Sequence, residues 1–414
     1  MSVIKPFKAV RPRIDLVQDI AALPYDVYSS KEARVVVEDK PISFLKIDRA
    51  ETFFDEGVSP YTEEVYNKAK EVLYSMIKEN KFIQDEIPCL YIYQLTMDGR
   101  SQNGIVGCAS IDEYINNKIK KHELTRADKE ADRINHVDYC DANTGPIFLT
   151  YKAKDEIDTI VNNWIKDNKP EYDFTPEDNV NHKVWVINEQ KAIDSLTELF
   201  AAVPDLYIAD GHHRAASAVK VGLKRREQNP GYSDDAEFNY FLSVVFPDNQ
   251  LKIMDYNRTV KDLNGMTEEE FIKEVEKKFE ITKTSDTEIR PTEKGTFGMF
   301  LQSKWYLLQA KAGTYNEKDP VLSLDVSILQ LNLLAPILGI GDPRTDNRID
   351  FIGGIRGLKE LERRVNEDMT VAFAMVPTSI EELMNIADAN ELMPPKSTWF
   401  EPKLRSGIFV HLLK

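Results

Sequence analysis

Apolar residues recur at helical spacing between about Tyr61 and Asn80, where Val65, Ala69, Val72, Leu73, Met76 and Ile77 share one face. The rhythm changes to strand patterns at Leu90–Leu95 and Gly104–Ile111, and the Asp98-Gly99 pair between them suits a tight hairpin turn. Ahead of these, short apolar runs alternate with turn signals at Arg11-Pro12-Arg13, at Leu23 to Val27 and at Ser43 to Ile47, so the first ~85 residues read as short strands and loops. A polar helix is expected up to about His136, then a loop over Asp141–Pro146 and a strand at Ile147–Tyr151. Helices follow over Asp155–Lys166 and Gln190–Ala201, with a strand near Val184–Ile187 between them.

Beyond residue 206 a strand around Tyr207 runs into a helix carrying Ala215, Ala216, Ala218, Val219 and Leu223, ending in Lys224, Arg225 and Arg226, which suit the negative end of a helix dipole. Strands are expected at Tyr240–Phe246 and Leu251–Tyr256. Thr267 to Glu270 opens a capped helix ending near Phe279, and strands at Thr296–Leu301 and Trp305–Ala310 complete a small α/β unit. Asp319-Pro320 reads as a helix start, and Ile328, Leu331, Leu334 and Ile337 line a face suited to a core or a homodimer contact. Val371–Val376 is a buried strand, and Ser379 with Glu382 caps a helix to Ala389. The expected class is α/β with α+β mixing, in three parts: a core over 1–260, a small α/β unit over 261–316, and a segment over 317–414 returning to the site.

At 414 residues, 42% of them hydrophobic and 29% charged, the chain is long enough for about two or three domains of an ordinary globular protein. The longest apolar candidate for a membrane span, Ile328 to Ile340, is broken by Gln330, Asn332 and Pro336, well short of the ~18 residues required. The N-terminus lacks a signal-peptide core, so a cytoplasmic location is expected. Cys89, Cys108 and Cys140 are scattered and fit reduced thiols better than a disulfide framework or a metal knuckle. The net charge of −16 repels polyanions and disfavours nucleic acid as a partner.

The segment Leu206 to Ala216 changes this bland picture. Its Asp210-Gly211-His212-His213-Arg214 places a hinge glycine, two imidazoles and a guanidinium where a strand becomes a helix. A helix start has first-turn amides without intrahelical acceptors and a partial positive charge, so a phosphate at Gly211, His212 and His213 gains hydrogen bonds and field together. Arg214 adds a planar fork for phosphate oxygens. The competing reading is that Asp210 caps the helix and the histidines merely pack.

Three further groups qualify as candidates: His122-Glu123 with Arg133, the Lys396-Ser397-Thr398 loop, and Arg11 with Asp26. Together they resemble the parts for phosphoryl transfer: Glu123 as base, His122 beside it, Asp210 in the catalytic centre, and Arg133, Lys396, Ser397 and Thr398 around the phosphates. Each has a plainer alternative. Glu123 can be a solvated charge, Arg133 can pair with Glu130, and Lys396 can sit in a proline-initiated turn. Phe351-Ile352-Gly353-Gly354-Ile355-Arg356 reads as a turn before a helix. No His-Glu-x-x-His, Walker loop or Gly-x-Ser-x-Gly elbow occurs, and His122, His136 and Cys140 lack zinc spacing. Asp210 could stand beside Mg²⁺, but one carboxylate does not define a metal site, and any metal ligands are unknown at this point.

Through Pro24-Tyr25-Asp26-Val27, Lys121-His122-Glu123 to Arg133, Ala209 to Arg214, and Pro395-Lys396-Ser397-Thr398-Trp399-Phe400, the chain resembles the uncharacterised prokaryotic domain-of-unknown-function family 1015 over nearly its whole length. The Asp-Gly-His-x-Arg piece is also similar to the phosphate-binding turn of the ParB/sulfiredoxin-like superfamily, which includes kinases acting on free serine. That resemblance implies a ParB/sulfiredoxin-like nucleotide-binding core with an additional α/β subdomain. It further implies ATP or ADP as the donor and a small-molecule kinase making O-phosphoserine from L-serine. The sulfiredoxin reaction is disfavoured, since histidine stands where that family has its cysteine. The alternative is a ParB-like nucleotide-binding switch or DNA-partition regulator.

Overall fold

The computed structural model describes residues 2–125 and 127–414, with the backbone alone for Asp128. Asp98 and Gly99 both take left-handed φ values, 53° and 76°, as a type I′ turn demands. The hairpin they close, Leu90–Met97 with Arg100–Ser110, is central to a mixed nine-stranded sheet. From one edge the strands run Ile119–Lys120, Leu206–Asp210, Ile147–Tyr151, Tyr240–Pro247, Arg100–Ser110, Leu90–Met97, Asn181–Ile187 and Tyr172–Phe174, with Ile4–Lys5 also paired to Arg100–Ser110. Two pairings are parallel, Leu206–Asp210 with Ile119–Lys120 and Ile147–Tyr151 with Tyr240–Pro247. The helices Asp155–Asp167 and Gln190–Ala201 put Ile157, Val161, Ile193, Leu196 and Phe200 into one core with Ile92, Ile105, Trp185 and Ile187 of the sheet. The burial of these side chains contributes ~1.5–3 kcal/mol each.

The first 85 residues are more helical than their pattern suggests. A helix runs over Ser30–Asp39, capped by Ser29 and Glu32 through reciprocal side-chain and backbone bonds. A short helix, Leu45–Asp48, stands where a short strand or loop is expected at Ser43–Ile47, and Tyr25–Val27 is a 3-10 turn. These pieces bury Ala33, Val37, Phe44, Leu45 and Ile47 against Val65, Ala69, Leu73 and Met76 of the helix Glu63–Lys78, forming a second core with Cys140 and Val410. Short apolar runs flanked by turns carry no period, so tertiary burial decided their conformation.

The helix His212–Gln228 lies beside Ala127–Cys140. Its closing basic residues do more than complement a dipole: Lys224 and Arg225 both reach Asp138, at 2.6 and 2.8 Å, and Arg226 reaches Asp112 at 2.7 Å. Gly222 permits this close packing, because a Cβ there would lie 2.5 Å from the carbonyl oxygen of Phe238.

The chain divides into two compact units, residues 1–251 with 402–414, and residues 252–401. Within the second, six antiparallel strands follow the order Phe279–Ser285, Lys304–Ala310, Thr296–Leu301, Val371–Ala374, Tyr256–Val260 and Ile349–Gly353. Strands from the expected 261–316 and 317–414 segments thus share one sheet. The helix Leu358–Glu367 supplies Leu358 and Leu361 to its core with Phe300, Trp305 and Ile352. Asp319 accepts the amides of Val321 and Leu322 in a turn, and the helix proper begins only at Asp325. Among the described residues no helix is long and apolar enough to cross a membrane.

The crowding at Gly222 sets an expectation. Gly222→Ala lowers stability by ~1–3 kcal/mol, the usual effect of overpacking, even though alanine is the better helix former. Urea unfolding measures it, and an unchanged or higher midpoint contradicts the packing argument.

Candidate anion-binding site

The strand Leu206–Asp210 ends in a bulge: Ile208 pairs with Leu149 and Asp210 with Phe148, leaving Ala209 as the extra residue. Bulges twist and re-aim a strand end. Gly211 then takes φ 94°, ψ 31°, a left-handed conformation that reverses the chain into the helix beginning at His212. Gly211, rather than Asp210, holds the cap position, and no side chain caps the helix. The Asp210 carboxylate instead accepts the Gly211 amide at 3.0 Å. The first turn of a 17-residue helix is thereby presented without a capping side chain, the arrangement in which an anion finds amides and a positive field together.

Arg214 folds back over the hinge. Its Nε and Nη2 lie 3.1 Å from where a Cβ of residue 211 would be, its Nη1 donates to the Pro146 carbonyl at 2.5 Å, and its Nη2 stands 3.7 Å from Asp210. Lys403, from the returning C-terminal segment, approaches the same carboxylate at 3.5 Å. Burial alone would raise the Asp210 carboxyl, but Lys403 and then Arg214 outweigh it and hold the group at about 2. Asp210 is therefore ionised across the physiological range.

His212 is buried, and its ring meets the ring of His122 edge-on, with centroids 4.4 Å apart. Both nitrogens of His122 and Nε2 of His212 are buried without a hydrogen-bond partner among the described residues. Burial drives His212 down to about 4 against a weaker upward pull from Asp210, and burial, then His212, drives His122 well below its usual value. Two neutral imidazoles thus back the turn. Glu123 Oε2 comes 3.8 Å from His212 Nδ1, too long for a hydrogen bond, and with His212 neutral the approach is no ion pair. The Glu123 side chain is 42% exposed and stands at the rim of the site. His213 is half-buried, and its carbonyl accepts the Ser217 hydroxyl at 2.7 Å.

Arg133 does not pair with Glu130. It pairs with Asp132 at 2.7 Å, lies 4.1 Å from the Tyr25 ring, and its companion Asp132 accepts the Tyr66 hydroxyl at 3.0 Å. Glu130 is taken by Lys220 and Thr125. Arg133 and Arg214 nevertheless line one slot, together with Tyr25, Asp48, Gly145 and Ser406. At about 20 Å³ it has room for a single water molecule.

The remaining candidates stand as follows. Arg11 is buried between Asp85 at 2.8 Å and Glu171 at 2.9 Å, whereas Asp26 is exposed in the 3-10 turn. Lys396, Ser397 and Thr398 belong to the second unit. There the Ser397 hydroxyl donates to Pro394, and the Ser397 carbonyl accepts from Thr378. Gly353 makes room for the Trp399 ring and Gly354 for Asp255, as a turn requires. Sequence reading missed Lys403, although it lies in the same donor-rich closing segment as Lys396, and it missed Asp132 as the acid beside Arg133. Among the described residues no group of three His, Cys, Asp or Glu side chains is placed to hold a metal.

The architecture is that of a mixed α/β protein with a glycine-hinged strand-to-helix turn. Residues 4–327 match the model of the family described as "Protein of unknown function (DUF1015)", and the chain belongs to that family. No curated protein matches it. Among solved structures, an ADP complex of a free serine kinase mutant is similar at a TM-score of 0.37 and 14% identity, covering 74% of this chain and 92% of that one. C-terminally truncated SbnI from Staphylococcus aureus gives 0.38 and 13%, over 75% and 89% of the two chains. A conserved hypothetical protein from Pyrococcus furiosus gives 0.35 and 16%, over 75% and 95%.

The neutral state of His212 is testable. In the unfolded chain this imidazole takes its proton near its ordinary 6.5, in the folded chain only near 4. Acidification between those values therefore favours unfolding, and stability tied to this group is lost as pH falls through that window. His212→Gln removes the effect and lessens the acid loss of stability by roughly 3 kcal/mol. Denaturant melts at pH 7 and pH 4 measure it, and an equal acid loss in both proteins refutes a buried neutral imidazole.

Proposed function

We propose that this chain is a nucleotide-dependent phosphotransferase acting on the hydroxyl of a small molecule, with free L-serine, giving O-phosphoserine, as the first acceptor to test. The observation that carries the reading is the uncapped start of the helix His212–Gln228, beside which Arg214 and Lys403 stand 3.7 and 3.5 Å from the Asp210 carboxylate. The choice of serine follows the resemblance of the Asp-Gly-His-x-Arg turn to that of kinases for the free amino acid.

The terminal phosphates of ATP or ADP dock on the first-turn amides, where the helix field and Arg214 offset their charge. His212 and His122 close the floor of the site as neutral groups, adding no charge that would hold the product after transfer. Glu123 at the rim takes the proton of the acceptor hydroxyl as its oxygen bonds to phosphorus, and the bond from phosphorus to the nucleotide's bridging oxygen breaks. Asp210 stands where a carboxylate could join a cation to the phosphates, yet Lys403 and Arg214 already neutralise it. Among the described residues no group of acids builds a Mg²⁺ site, so the steps are assigned to the chain's own side chains.

Mass spectrometry of reactions containing the full chain, ATP or ADP, and serine is expected to show phosphoserine. Transfer to another small alcohol instead of serine would change the acceptor alone. Nucleotide binding without transfer to any of them would overturn the kinase reading in favour of a nucleotide-binding switch. Arg214→Ala is expected to weaken nucleotide binding about 10- to 100-fold. Glu123→Gln should leave binding near wild type and lower kcat by roughly 10²–10⁴. Equal and mild effects of both substitutions on both quantities contradict the assigned roles.

A further inference from the structure

The second unit carries a positive site that the proposed chemistry does not use. Arg258 lies in the middle of the strand Tyr256–Val260, bonded on both sides within the sheet, and is only 4% exposed. A guanidinium this deep is ordinarily matched by a carboxylate, because an uncompensated buried charge is costly. Arg258 forms no ion pair among the described residues: its Nη1 donates to the Tyr256 carbonyl and its Nη2 to the Lys396 carbonyl at 3.1 Å. Those bonds use two of five donors. The Phe351 ring, 5.4 Å from the guanidinium carbon, offsets part of the charge but accepts no conventional hydrogen bond. Burial without an opposing acid pulls this arginine down to about 10. The nearby acids are engaged elsewhere, Asp255 by Asn257 and Arg290 and Glu401 by the Trp399 indole.

A second cation shares this ground. Lys396 is exposed and takes φ 60°, a left-handed conformation that a long side chain adopts at a cost. That conformation belongs to the same loop whose carbonyl meets Arg258, while the Lys396 ammonium stands 5.6 Å from the ring of Tyr256, two residues from Arg258 on the same side of the strand. Trp399 packs on Tyr256 at 5.0 Å and fixes the loop against the strand. One loop thus brings its Lys396 carbonyl to the buried, planar Arg258 and its exposed ammonium over the neighbouring Tyr256 ring, and among the described residues Arg258 has no carboxylate partner. This is the complement of an oxyanion, the fork supplying direction and the ammonium supplying charge.

We propose that Arg258 and Lys396 form an oxyanion site in the second unit that receives the phosphate group of a phosphorylated small molecule. Its test uses the full chain carrying Arg214→Ala, which weakens the first site, titrated with inorganic phosphate in a calorimeter and with acetate as the carboxylate control. Saturable phosphate binding is expected to persist, and both Lys396→Ala and Arg258→Lys should weaken it by about tenfold or more. Arg258→Lys keeps the charge and removes the fork. Should that variant fail to fold, the exposed Lys396→Ala carries the test alone. Absence of saturable phosphate binding, or unchanged affinity in Lys396→Ala, overturns the site. Acetate binding as tightly as phosphate overturns the phosphate assignment.

Discussion

One backbone constraint governs the candidate site: a strand must end and a helix must begin within a single residue. Gly211 makes that reversal in a left-handed conformation that a residue with a Cβ adopts only at a cost. The bulge at Ala209 orients the strand end, the missing side chain at 211 opens the space that the Arg214 guanidinium fills, and the absent side-chain cap exposes the helix field. Changing the hinge would disturb all three together, since any Cβ there both strains the backbone and presses on Arg214.

The electrostatics around the hinge are nearly balanced before any ligand arrives. Asp210 faces two cations, Lys403 and Arg214, so the cluster carries about one net positive charge, and the imidazoles behind it add none. A phosphate docking there would meet the helix amides and this surplus together. The acidic surface of the chain, net −16, is no obstacle to that. At physiological salt, surface charges beyond ~8 Å are largely screened, so local groups decide.

Much of this architecture was legible in the residues, for identifiable reasons. The hairpin at Asp98-Gly99 and the helices at 63–78, 155–167 and 190–201 announce themselves because their pattern and turn chemistry agree. The Asp210 turn was legible because glycine, histidine and arginine are poor choices for an ordinary helix start. Pattern failed in the first 60 residues, although the Ser29-x-x-Glu32 capping box was there to be read. It also could not choose between Lys396 and Lys403, which lie seven residues apart in one segment but fall in different units. Nor could it show that Arg133 has Asp132 beside it. Neighbours in sequence on a helix ordinarily diverge, and only the fold brings the guanidinium round to its own preceding acid.

The segment 402–414 belongs to the first unit although 150 residues of the second separate it from residue 251. Val410 bonds to Val10 in both directions, and His411–Leu412 pairs with Ala142–Asn143, so a segment made after the second unit pairs with segments made before it. A nascent chain halted at residue 401 would hold the hinge and its arginine, yet Asp210 would have no lysine opposite it. The order of synthesis therefore keeps the charge cluster incomplete until the intervening unit has been made.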